Sequence, residues 1–167
     1  MKYIYIIFIL SLFYSCSQEE HTSISVNDTY IDMYVTDKDG NDLLNPESKN
    51  DKNVDLNKLT LTYLINNKEI VYYKKDSDML LAIDCIIFGP PTAAYNKYIL
   101  RIFPNATYDK SISYLKWDIS NVDTISIETN KTNSSTICVG VELNGKKVWG
   151  VGHQNEDKDR RLITIIK

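Results

Sequence analysis

The sequence predicts an all-β protein, and three observations carry that expectation. Apolar residues recur with period two from Thr29 onward, no window of eleven residues shows a helical stripe, and the alternating runs are rich in Ile, Val, Thr and Tyr. The predicted strands are 29–36, 59–66, 69–74, 79–88, 97–103, 112–118, 124–129, 137–143, 146–151 and 162–166. Many short strands separated by turn residues suggest two packed sheets, a β-sandwich, with a partly closed barrel as the alternative.

The turns support this order. Asn144-Gly145 separates Ile137–Leu143 from Lys146–Trp149, and both residues tolerate the positive φ angles of a type I′ turn. Asn66-Asn67-Lys68 predicts a second hairpin, and Asp39-Gly40-Asn41 turns the first strand back through Asp42-Leu43-Leu44. Gly89-Pro90-Pro91 ends the most continuously apolar run, Met79 to Phe88, which is expected to be a central strand buried on both faces. Residues 45–58 read as a polar loop.

Length and composition are those of one globular domain: 167 residues, 43% hydrophobic and 25% charged. Two domains are not expected. The first fifteen residues, MKYIYIIFILSLFYS, hold one cation, Lys2, ahead of an apolar run of about a dozen residues. A membrane span needs roughly 20 consecutive apolar residues, so this run is the core of a signal peptide. Without Lys2 the mature chain keeps 18 Lys and Arg against 22 Asp and Glu. That mildly acidic balance argues against nucleic acid as a partner, because phosphate binding needs a basic stripe.

Leu12, Phe13, Tyr14 and Ser15 lead into Cys16, an arrangement that resembles the lipobox of bacterial lipoproteins. The resemblance implies cleavage before Cys16 and a lipid, palmitate among its acyl chains, on that cysteine. It also implies localisation in the bacterial cell envelope as an outer membrane lipoprotein, with the membrane a partner through the lipid anchor. Glu19 and Glu20 resemble the acidic export signal of surface-exposed Bacteroidetes lipoproteins. The expected organisation is therefore a signal peptide at 1–15, lipidated cysteine and polar tether at 16–28, and a single β-rich domain at 29–167.

Candidate chemistry is sparse. Asp37-Lys-Asp-Gly-Asn-Asp42 offers several carboxylates, yet its glycine is fourth rather than sixth, so it does not match an EF-hand, and a tight turn explains the same residues. Cys85 and Cys138 fall in apolar strands of an exported chain, where they either pair as a disulfide or serve as small buried hydrophobes. His153 is the one imidazole in the domain, since His21 lies in the tether, and no Gly-x-Ser-x-Gly elbow accompanies it. Neither catalytic nor metal-binding residues are therefore assigned, and no cofactor is expected. Were a carboxylate enzyme present, Asp84, flanked by Leu80-Leu-Ala-Ile83 and Cys85-Ile-Ile87, is the acid whose surroundings would raise its pKa.

Aromatic residues offer a better handle, because their faces stack on sugars or anchor protein interfaces. Tyr72, Tyr73, Tyr95 and Tyr98 are the candidate binding residues, with a glycan or a protein as ligand. Four Asn-x-Ser/Thr sequons begin at Asn27, Asn105, Asn130 and Asn133 and read as polar turn sequence. Asp123-Thr124-Ile125 resembles the O-glycosylation acceptor of exported Bacteroidetes proteins, although strand alternation explains it equally.

In their order along the chain, Asp37–Pro46, Leu61–Asn66, Trp117 with Asp123-Thr-Ile125, and Val141–Trp149 resemble a group of small, uncharacterised Bacteroidetes lipoproteins of Bacteroidales type. The resemblance implies a secreted β domain and carries over no catalytic residues. A non-enzymatic binding or interaction module is the leading expectation, and an inhibitor or immunity-type protein or a carboxylate-dependent hydrolase are the alternatives.

Overall fold

The computed structural model describes residues 26–48, 50–74, 86–152 and 160–167, and among them the chain is nearly all β. The strands are β1 (Val26–Asp28), β2 (Ile31–Thr36), β3 (Thr60–Ile65), β4 (Lys68–Lys74), β5 (Ile86–Gly89) and β6 (Ile99–Ile102). They continue with β7 (Lys110–Lys116), β8 (Val122–Lys131), β9 (Ser135–Leu143), β10 (Lys146–Gly150) and β11 (Leu162–Ile166). One sheet has the order β1-β9-β8-β7-β3-β4, with β10 also on β9, and the second has the order β11-β2-β6-β5.

Alternation builds the core between the sheets. Ile31, Met33 and Val35 of β2, Leu100 and Ile102 of β6, and Ile163 and Ile165 of β11 are buried against Leu61, Leu115, Ile125, Ile127 and Val141 of the larger sheet. At roughly 1.5–3 kcal/mol per fully buried aliphatic side chain, this shared layer is the main stabilising contribution. The expected all-β fold of two sheets is thus present, with one sheet curled into a half-barrel, as a sandwich or a partly closed barrel requires.

The hairpins form as the turn chemistry requires. Asn144 and Gly145 have φ of 51° and 77°, and Asn66 and Asn67 have φ of 51° and 60°. Gly40, at φ 82°, reverses the chain after β2, Asp42 bridges Thr36, and Leu43 N donates to Val35 O at 2.9 Å. The polar loop that follows is held by its own short side chains. Asn45 accepts from Glu47 N, Asn50 from Lys52 N, and Asp55 from Asn57 N at the start of a 3-10 turn, Leu56–Lys58.

Two expectations need correction. Val26–Asp28 does not act as tether: it pairs in parallel with Ser135–Ile137, so the domain begins before Thr29. The run ending at Phe88 is not central in its described part, for β5 pairs with β6 alone at the edge of the smaller sheet. A continuous apolar run is read as a central strand because burial on both faces permits it. Here an edge strand covers an apolar ring instead by stacking it, Phe88 on Tyr98 at 5.2 Å.

Candidate functional site at one end of the sandwich

The strand register gathers a set of loops at one end. Lys116 and Val122 close the β7–β8 connection, Leu143 and Lys146 close the β9–β10 turn, and Lys167 N donates to Thr36 O where β11 and β2 finish. The opposite end carries Asn66-Asn67, the Thr132–Ser134 turn and Val26, whose N donates to Ser134 O at 2.9 Å.

At the first end a buried carboxylate organises the loops. Asp123 Oδ2 accepts from Trp117 Nε1 at 2.7 Å and from Lys167 Nζ at 2.6 Å, while Oδ1 accepts from Asn144 Nδ2 at 2.7 Å. Burial opposes this charge, yet the bonds from Lys167, Asn144 and Trp117 outweigh it and hold the carboxyl below its ordinary range. Lys167 Nζ also donates to Asn121 Oδ1 at 2.9 Å and lies 4.8 Å from the centre of the Trp117 ring. Asn144 Oδ1 accepts from Thr124 N at 2.9 Å, so the hairpin turn and the carboxylate are fixed together.

The β7–β8 loop is locked on this base. Trp117 N donates to Asn121 O, and Asp118 Oδ1 accepts from Ser120 N, Ser120 Oγ and Asn121 N at 2.7–2.9 Å. Ile119, at the tip, is 104% exposed. Ile166 and Val122 are exposed at the same end. A pocket of about 180 Å³ lies beneath the loop, lined by Trp117, Asp118, Asn121, Lys167, Asn53 and Asp55 among others. A larger groove of about 700 Å³ is lined by Asn57, Lys58, Thr60, Lys116, Asp118 and Ile119.

The candidate aromatics lie elsewhere, on both sheets. Tyr72 stacks on Tyr63 at 3.8 Å within the larger sheet, and the Tyr63 hydroxyl donates to Phe103 O. Tyr95 donates to Asp32 Oδ2 over the outer face of the smaller sheet, where burial and that bond push its phenol pKa up, and Tyr98 stacks on Phe88. The backbone of Tyr73 pairs with Leu61, and its side chain lies outside the described residues. The structure therefore places Tyr72 on the larger sheet and Tyr95 and Tyr98 with the smaller one, each ring engaged by a neighbour.

Cys16, His21, Asp84, Cys85 and His153 lie outside the described residues. Cys138 is a buried free thiol that contacts Gly140 O at 3.5 Å, and burial raises its pKa. Asp37 spends both oxygens on its own turn, accepting from Asn41 and Asp39 amides and from Asn41 Nδ2, which lowers its pKa. Among the described residues no group of three His, Cys, Asp or Glu is placed to hold a metal ion. Of the sequons, Asn105 is fully buried, with Nδ2 donating to Leu64 O at 3.0 Å. In Asp123-Thr124-Ile125, the aspartate is consumed by the Trp117 cluster and Ile125 by the core.

The Trp117–Asp123–Lys167 cluster went unread in the sequence, as did Ile119. The signal for the cluster was an aspartate opening a strand six residues after a tryptophan; Lys167 gave none. No family model matches the chain, and no curated protein and no solved structure matches it.

Proposed function

We propose that this chain is a lipoprotein of the bacterial envelope, anchored through Cys16, whose β-sandwich is a non-enzymatic binding module for a protein partner. The lipobox-like order of residues 12–16 and the resemblance to small Bacteroidetes lipoproteins support the anchor. The observation that carries the binding reading is Ile119. A large aliphatic side chain held wholly in solvent by a four-fold hydrogen-bonded loop contributes nothing to the core, and its rigidity lowers the ordering entropy of docking.

A glycan is the less favoured ligand. Sugar stacking needs an open aromatic face; Trp117, at the end bearing Ile119, is 5% exposed and Tyr72, Tyr95 and Tyr98 are packed, while the exposed ring of Tyr108 lies beside Asn66 at the opposite end. An inhibitor or immunity-type role is the second reading, favoured by the same loop, because a protruding ordered hydrophobe is what enters an enzyme cleft.

A photo-crosslinking amino acid at position 119, in cells producing the full chain, tests the binding reading. One discrete adduct that is missing when the probe sits at Asn133 is the expected result. Identical patterns from both positions would refute binding through this end.

A further inference from the structure

The loop that carries Ile119 owes its shape to its own residues. Trp117 N donates to Asn121 O at 2.9 Å, and the three bonds on Asp118 Oδ1 come from Ser120 and Asn121, so each of these contacts begins and ends within residues 117–121. Such bonds fix a turn without fixing its direction. Packing does not supply the direction either. Beneath the loop lies the pocket of about 180 Å³ that Trp117, Asp118 and Asn121 share with Lys52, Asn53 and Asp55, and space in place of side chains forfeits dispersion contacts.

The direction comes from the other sheet. Lys167 follows β11 and is tied to β2 by its backbone, Lys167 N to Thr36 O at 2.8 Å, whereas the loop joins β7 and β8 of the larger sheet. Its ammonium donates to Asn121 Oδ1, on the last residue of the loop, at 2.9 Å and to Asp123 Oδ2 at 2.6 Å. It also stands 4.8 Å from the centre of the Trp117 ring, where the loop starts. One cation thus touches both ends of the loop. Its side chain is 18% exposed, so water competes weakly for the donors. Charge-assisted bonds of this kind are about twice as strong as neutral ones.

We infer that Lys167 is the positioning residue of the Ile119 loop: an ammonium carried by the smaller sheet aims a binding loop carried by the larger one. The aim of Ile119, and the low ordering entropy of docking through it, then depend on the seating of β11 as well as on the turn. This deepens the protein-binding reading above and rests on it.

Fluorescence anisotropy decay tests the positioning. A fluorescent amino acid is placed at position 119 of the full chain, or at position 133 in the opposite end as control, in wild type, Lys167→Met, Lys167→Arg and Asn121→Ala. Asn121→Ala removes the acceptor in the loop and keeps the pair of Lys167 with Asp123. Residual anisotropy is expected to be lost at 119 and kept at 133 in Lys167→Met and Asn121→Ala, and to recover in Lys167→Arg. The adduct formed by a photo-crosslinking amino acid at 119 is expected to be lost in the same two variants. Unchanged anisotropy at 119 in Lys167→Met, or in Asn121→Ala where Lys167→Met also loosens position 133, would overturn the positioning role and leave the binding reading standing. A wild type that forms no discrete adduct from position 119 would overturn the binding reading, and with it the role of this segment as a binding loop.

Discussion

Arg101 grips Asp32 from the neighbouring strand through two bonds, Nε to Oδ1 at 2.7 Å and Nη2 to Oδ2 at 2.8 Å, and Asp32 is fully buried. The Arg101 guanidinium also lies 4.0 Å from the centre of the Tyr30 ring, whose surroundings include Arg161 at 4.4 Å. The pair ties β2 to β6 on the outer face of the smaller sheet and fixes Tyr95 above it.

Removing one partner of such a pair strands the other. Asp32→Ala is expected to cost about 3 kcal/mol, at the low end for a buried pair because Arg101 is 30% exposed and can partly rehydrate. Asp32→Leu combined with Arg101→Met is expected to cost less than Asp32→Ala alone. Urea unfolding of the two variants beside wild type measures the order, and a double change that costs more than Asp32→Ala would show that the loss does not come from stranding Arg101.

Acid stability should report Asp123. Its folded carboxyl titrates below the ordinary aspartate value of about 3.9, so its stabilising contribution is complete above that value and is lost as pH falls through the folded pKa. Asp123→Asn is therefore expected to be less stable than wild type at pH 7, with the gap narrowing below about pH 4. A gap of constant size down to pH 2 would mean that the bonds from Trp117, Lys167 and Asn144 do not favour the charged form.

Two glycines should differ in what they tolerate. At Gly145 an added Cβ meets nothing within 4 Å, so Gly145→Val is opposed by its positive φ alone, about 1–2 kcal/mol. At Gly150, with φ of 108°, a Cβ would lie 2.4 Å from Val139 O and 2.6 Å from Gly140 Cα. Gly150→Ala is expected to be the more damaging change, separable by thermal melting.

Ile119→Asp should leave folding alone. The side chain is wholly in solvent, so the expected change in stability is within about 0.5 kcal/mol. Loss of the adduct formed from a probe placed at Val122, exposed at the same end, in the same variant would confirm that the exposed isoleucine serves binding. An unchanged adduct would remove it from the interface.

What could be read from the sequence was whatever a local pattern dictates. The alternation in Ile112–Trp117 and Ile125–Ile127 placed β7 and β8, and Asn144-Gly145 and Asn66-Asn67 placed two turns, because pleat and positive φ leave direct marks on residue choice. β1 was missed because Val26–Asp28 takes its identity as a strand from β9, over a hundred residues away. Asp32 and Arg101 each stood alone in an apolar run, which hinted at a buried charge but not at its partner 69 positions distant. Tyr72 was grouped with Tyr73, and Tyr95 with Tyr98, by closeness in sequence, but nothing local marks the partners that Tyr72, Tyr95 and Tyr98 meet in the fold, Tyr63, Asp32 and Phe88.

The anchor is tested most directly by metabolic labelling with an alkyne fatty acid, followed by membrane fractionation of the wild type and of Cys16→Ser. Wild-type protein should take up the label and sediment with membranes, and Cys16→Ser should do neither. Equal labelling of the two, or unlabelled wild type in the soluble fraction, would contradict attachment through Cys16.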